Sequence, residues 1–141
     1  MSMRISKKEI TALISPSGCG KPTLLRCFNR LNDLINHAKI SGEITLDGES
    51  SNAASTAVVT LRKKIDIVFQ NFNLFDHLTA LQNVEIALIT VLKMKPAESG
   101  KRAMVELCRV GMQDWADHYP EMRSEEQAQR ASIARALAMD P

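Results

Sequence analysis

Apolar positions along this chain follow two different periods, and the change from one to the other divides it. Residues 10–14 read Ile-Thr-Ala-Leu-Ile, a short apolar run with β-branched members. That is the pattern of a parallel strand buried on both faces. Leu24, Leu25, Phe28, Leu31, Leu34 and Ile35 then recur at helical spacing. Ser41-Gly42 marks a turn, and residues 43–48 read as a strand running into another turn. Residues 49–57 are small and polar, which predicts a loop, and 58–64 fit a short helix. Residues 65–69, Ile-Asp-Ile-Val-Phe, give a second core-strand pattern closed by Gln70. From Thr79 onward the period is helical. A helix from 79 to about 93 opens with a Thr79-x-x-Gln82 capping box, and a second over 96–110 is stopped by Gly111. A short helical turn over 112–118 follows. The last helix, over 124–138, opens with a second capping box, Ser124 to Gln127, and sets Ala131, Ile133, Ala134, Leu137 and Ala138 on one side. Strands and loops come first and helices after, which predicts an α/β core with a helical region.

Between the first strand and the first helix lies Ser-Pro-Ser-Gly-Cys-Gly-Lys-Pro-Thr, residues 15–23. A strand, a Gly-rich turn and a helix in that order form a phosphate-binding loop, G-x-x-x-x-G-K-[ST]. In such a loop the backbone N–H groups and the positive helix end meet an anion. The candidate nucleotide-binding residues are Ser15, Ser17, Gly18, Cys19, Gly20, Lys21, Pro22 and Thr23. Gly18 and Gly20 let the backbone wrap phosphate, and the Lys21 ammonium reaches the β- and γ-phosphates. Two positions depart from the pattern. Ser15 adds a Cβ where the first glycine belongs. Pro22 stands where a hydroxyl would bind Mg²⁺; it brings neither hydroxyl nor N–H and biases Lys21 away from the helical region. Thr23 lies roughly 100° further round the helix and is no simple substitute. The expectation is a helix that forms and Mg²⁺ coordination that is impaired.

Composition narrows the class. A chain of 141 residues suggests one domain, and 45% hydrophobic with 24% charged residues is ordinary for a globular protein. A net charge of +2 is too small to argue for nucleic acid. No apolar run approaches the ~20 residues a membrane span needs, and the start lacks a signal-peptide core. Cys19, Cys27 and Cys108 show no C-x-x-C spacing, so a reduced cytosolic setting is expected, with Cys19 and Cys27 as packing residues. His37, His77 and His118 are scattered and suggest no metal site.

Three segments together resemble the ATP-binding subunits of ABC-type importers. Gln70, after Val68-Phe69 at a strand end, resembles the Q-loop glutamine. Tyr119-Pro120 followed by Ser124-Glu125-Glu126-Gln127-Ala128-Gln129-Arg130 resembles the signature region, usually Leu-Ser-Gly-Gly-Gln-x-Gln-Arg. Ile133-Ala134-Arg135-Ala136-Leu137-Ala138 resembles the helix that follows it. The resemblance covers nearly the whole chain. It implies a P-loop NTPase core with a partial sheet and an ABC-type helical subdomain, divided as 1–78 core, 79–123 helical subdomain and 124–141 signature helix. It implies ATP and Mg²⁺ as ligands, with Gln70 at the metal and the attacking water. Its partners would be the transmembrane permease subunits and a second ATP-binding subunit, at the inner face of the cell membrane and with no nucleic acid. Arg26 to Ile35 and Ile40 to Glu43 look like phosphate importer ATPases. Phe72 to Phe75, His77 to Thr79 and Val110-Gly111 look like polar amino acid importer ATPases, and the lean is toward amino acids.

The chain also departs from the family pattern. Arg123 replaces a Leu, and Glu125 and Glu126 replace two glycines that approach the γ-phosphate on the opposing subunit. Two carboxylates there would repel phosphate, while in a first helical turn they favour the dipole. The expectation is an intact helix and a defective signature. The Walker B Asp, the catalytic Glu, the D-loop and the switch histidine would follow Pro141, and the adenine-stacking aromatic would precede the chain, so no catalytic residue is named. An inactive chain with exposed sheet edges is expected. Two other readings stay open: a non-catalytic nucleotide- or permease-interaction module, and a remnant without function.

Overall fold

The computed structural model describes residues 2–53, 57–120 and 124–140. It divides into two units, Met1–Val58 and Val59–Pro141. Arg123, Pro141 and the middle of the 49–57 loop lie outside the described residues.

In the first unit, helix α1 (Lys21–Phe28) starts directly after Gly20, whose φ is 89°. Leu24 N–H donates to the Gly20 carbonyl at 3.0 Å, closing the first turn. Pro22 sits inside that turn, and Lys21 is helical rather than displaced. At a helix start the missing N–H would have had no partner, and no earlier turn stands in the way of the ring. Helix α1 ends earlier than its apolar spacing predicts. Arg30 turns left-handed at φ 60°, and a 3₁₀ turn, Leu31–Leu34, follows. The buried Asn32 amide donates to the Thr23 carbonyl at 2.8 Å and to Cys27 Sγ at 3.0 Å, folding the chain back on the helix. Leu34 is 73% exposed, so the apolar period past Phe28 has no buried face to continue.

The strand expected over 10–14 does not form. Ile10 and Ile14 are fully or almost fully exposed, and among the described residues no ladder reaches this segment. An apolar run becomes a strand only when a neighbour satisfies its backbone and covers its faces. Residues 65–69 likewise form no strand among the described residues, though Ile65, Ile67 and Phe69 are half-buried while Asp66 and Val68 are exposed. The sheet among the described residues is one short antiparallel pair, β1 (Thr45–Leu46) with β2 (Glu49–Ser50), with Thr45 opposite Ser50 and Leu46 opposite Glu49. Asp47 and Gly48 join them at φ 53° and 84°. Positive φ at both central residues is the two-residue hairpin turn that Asp-Gly favours.

The second unit begins within α2 (Val58–Lys64) and is built on three packed helices, α3 (Ala80–Thr90), α4 (Pro96–Arg109) and α5 (Glu125–Ala138). Ala80, Val84 and Leu88 of α3, Ala103 and Leu107 of α4, and Ala131, Ala134 and Ala138 of α5 share one core with Met112 and Ala116. Both expected capping boxes are present: Thr79 accepts from Gln82 N–H, and Ser124 accepts from Gln127 N–H. The first turn of α3 has further partners, because Ala80 and Leu81 N–H donate to the carbonyls of His118 and Ala116. Helix α4 closes as a Schellman motif. Gly111 at φ 69° donates to Cys108, and Met112 donates to Leu107, while the Met112 and Leu107 side chains are buried together.

The buried side of α5 differs from the expected one. Ser132 is buried, Ile133 is half-buried and Leu137 is exposed. Ser132 takes its place because its hydroxyl donates to the Phe72 carbonyl at 3.1 Å.

Candidate functional site

The phosphate-loop residues fold around the head of Lys21. Its ammonium donates to the Ser15 carbonyl at 2.7 Å, the Pro16 carbonyl at 2.9 Å and the Ser15 hydroxyl at 3.2 Å, and lies 3.6 Å from Cys19 Sγ. Ser15 Oγ and Cys19 Sγ are 2.6 Å apart. Ser15, Cys19 and Lys21 are thus brought together, with Ser17 and Gly18 exposed and Gly20 half-buried between them. Gly18 and Gly20 both have positive φ, 80° and 89°, which only glycine adopts freely. Ser15 is not among the left-handed residues, so its Cβ meets no glycine-only backbone conformation there. Its oxygen instead joins the lysine contact. Among the described residues, the N–H groups of Ser17, Gly18 and Gly20 have no protein acceptor, and Ser17-Gly18 form a tight turn. Free loop N–H groups, a lysine and a helix start are the chemistry that suits phosphate oxygens.

Cys19 is exposed rather than packed, correcting the expectation for that residue. The Ser15 hydrogen bond, with the Lys21 N–H and ammonium, holds its thiol below the usual cysteine range against some desolvation. Pro22 offers no oxygen beyond its carbonyl, and the Thr23 carbonyl is taken by Asn32 and Cys27. Among the described residues no group of three or more His, Cys, Asp or Glu could hold a metal.

Gln70 belongs to the other unit. It is exposed on a tight turn in which Phe72 N–H donates to the Phe69 carbonyl at 3.0 Å. Phe72 and Asn73 are both left-handed, at φ 56° and 46°. A bulky residue in that region costs on the order of 1–3 kcal/mol and persists only where its surroundings hold it. Helix α5 does so here. Arg135 donates from Nη1 to the Asn73 carbonyl at 2.7 Å and from Nη2 to the Phe72 carbonyl at 3.2 Å, beside the Ser132 contact. Partial burial draws the Arg135 guanidinium below the ordinary arginine range, and Asp66 opposes that shift.

Of the signature residues, Ser124 and Gln127 form the cap of α5 while Glu125 and Glu126 occupy its exposed first turn. Glu126 pairs with Arg130, which also donates to the Val110 carbonyl at 3.3 Å. The expected intact helix is present, and the carboxylates strengthen it.

One residue that shapes this region was not picked out from the sequence. Asn83 is fully buried, donates to the carbonyls of Phe75, Leu78 and Thr79, and accepts from Phe75 N–H at 2.7 Å. It ties the segment after Gln70 onto α3. The available signal was an amide beside Ala80, Val84 and Leu88 on an otherwise apolar stripe.

Similarities to known proteins cover the same ground. A profile described as ABC transporter matches residues 1–141. The glutamine transport ATP-binding protein GlnQ of Bacillus subtilis (strain 168) is 43% identical over 141 residues, covering 100% of this chain and 56% of that protein. The glutamate/aspartate import ATP-binding protein GltL of Escherichia coli (strain K12) is 39% identical over 140 residues, covering 99% and 56%. The chain therefore spans about half the length of these curated relatives. Among solved structures, the dimeric post-hydrolysis state of the ATP-binding cassette MJ0796 bound to ADP and Pi aligns with TM-score 0.73 and 38% identity, over 89% of this chain and 54% of that one. The cbiO1 protein of Clostridium perfringens, part of the ABC transporter complex cbiONQ, aligns with TM-score 0.75 and 30% identity, over 91% and 49%.

Proposed function

The chain belongs to the ABC transporter family, with the P-loop NTPase fold of its ATP-binding cassettes, and from that premise we propose that it is the phosphate-loop and signature portion of an importer's ATP-binding subunit. The carrying observation is the loop at 15–23, where the Lys21 ammonium is gathered onto the Ser15 and Pro16 carbonyls at the start of α1 and Gly18 and Gly20 take positive φ. In this reading Ser17, Gly18, Cys19 and Gly20 hold phosphate through backbone N–H groups. Lys21 leaves the Ser15 and Pro16 carbonyls to neutralise the β- and γ-phosphate charge, and Thr23 lies at the helix start. ATP supplies the phosphoanhydride whose cleavage drives transport, and hydrolysis belongs to the whole subunit. Mg²⁺ coordination is weakened at Pro22, and the metal role of Gln70 is carried over from the family resemblance. Ser124, Glu125, Glu126 and Gln127 form the signature position, where the carboxylates weaken contact with a nucleotide on a second subunit.

The solute class is polar amino acids. The matched relatives named for glutamine and glutamate support that class over phosphate. The proposed partners are a permease pair and a second ATP-binding subunit, with the protein peripheral at the inner membrane face. Among the described residues no helix is long and apolar enough to cross a membrane. The division into 1–78 core, 79–123 helical subdomain and 124–141 signature helix follows the same reading.

Calorimetric titration of the chain with MgATP tests the nucleotide site. Saturable binding abolished by Lys21→Ala is expected. Binding that survives Lys21→Ala, or no binding, would overturn the reading.

A further inference from the structure

Two residues of α5 act on a turn some sixty positions earlier in the chain. Arg135 spans two consecutive carbonyls, Phe72 and Asn73, and Ser132 adds a third hydrogen bond on Phe72. Both carbonyls belong to left-handed, non-glycine residues. The turn they close carries Gln70 at its corner, exposed. A guanidinium is suited to this because its fork is planar and rigid; a lysine ammonium is a single point charge on a flexible stem. Phe72 here adopts a conformation that a bulky side chain disfavours, and the side-chain donors on the Phe72 and Asn73 carbonyls come from the signature helix.

We propose that Arg135, assisted by Ser132, is the positioning residue for Gln70: it clamps the Gln70 turn to α5, so that the glutamine and the signature helix move as one piece. The role toward nucleotide rests on the reading of Gln70 given above, whereas the clamp itself does not. A displacement of α5, at whose start the signature residues lie, is then passed to Gln70 through two carbonyls rather than through the apolar core.

Hydrogen exchange of the whole chain, followed at Phe72 and Asn73 with and without MgATP, tests this. Arg135→Ala is expected to speed exchange at both amides at least tenfold, while Val84 and Leu88 in α3 keep their protection. Arg135→Lys, which keeps the charge and the fold, is expected to speed them about threefold. Unchanged exchange in both variants overturns the clamp. If Arg135→Ala loosens the whole helical unit, Arg135→Lys decides alone: local loosening supports the clamp, and none overturns it. MgATP is expected to slow exchange at the turn in the wild type and to lose that effect in Arg135→Lys. An equal effect in both overturns the positioning role. No MgATP effect in the wild type, with local loosening in the variants, supports the clamp and removes the nucleotide role of Gln70.

Discussion

Lys21 holds the Ser15 and Pro16 carbonyls, so a phosphate must compete with contacts the loop already makes. One position further, Pro22 takes away the hydroxyl oxygen that a metal would use. Pro22→Ser is therefore expected to tighten MgATP binding roughly tenfold, about 1.4 kcal/mol, and to leave metal-free ATP binding unchanged; titrations with and without Mg²⁺ check it. Equal tightening in both would place the effect in the backbone instead. Cys19 gives a second check at this scale. Because Ser15 and Lys21 stabilise its thiolate, alkylation by iodoacetamide should reach half its maximal rate below the ~8.5 of a free cysteine, and bound nucleotide should slow it. A midpoint at or above that value would contradict the loop geometry. Lys21, Gly18 and Gly20 were legible because their chemistry lies in eight contiguous residues. Arg135 and Ser132 were not, because their partners lie 60 to 63 positions away.

The capped helices illustrate what local chemistry decides. The Thr79 and Ser124 capping boxes and the Gly111 stop need only residues within one turn, and all three formed where the sequence put them. The strand patterns at 10–14 and 65–69 did not become strands, because pairing is a property of two segments and periodicity describes one. Helix α1 stopped at Phe28 because Asn32 turns back onto it, a contact that hydrophobic spacing does not register. Asn83→Leu should destabilise the helical unit by about 1–3 kcal/mol, since Phe75 N–H would lose its buried acceptor; the denaturation midpoint would show it. Gly111→Ala forces a side chain into a left-handed cap and should cost about 1 kcal/mol, with Arg130 yielding at 3.4 Å. No loss in either variant would mean that these contacts do not hold α3 and α4 as described.

At the scale of the molecule, the helical unit has a continuous buried core, whereas the unit carrying the phosphate loop keeps Ile10, Ile14 and Leu34 in solvent. Family membership was legible here from three motifs in order, even though the loop and the signature each depart from pattern. The solute class was not, because the first helix and the Q-loop region resemble different importers. The proposed function requires that the loop at 15–23 still takes a nucleotide. A thermal melt of the purified chain with and without millimolar MgATP, alongside Lys21→Ala, tests it most directly, because a ligand held by the native state alone raises its apparent stability. A cooperative transition is expected that moves up with MgATP in the wild type and stays put in Lys21→Ala. A transition unmoved by MgATP in the wild type, or moved equally in both, would contradict it.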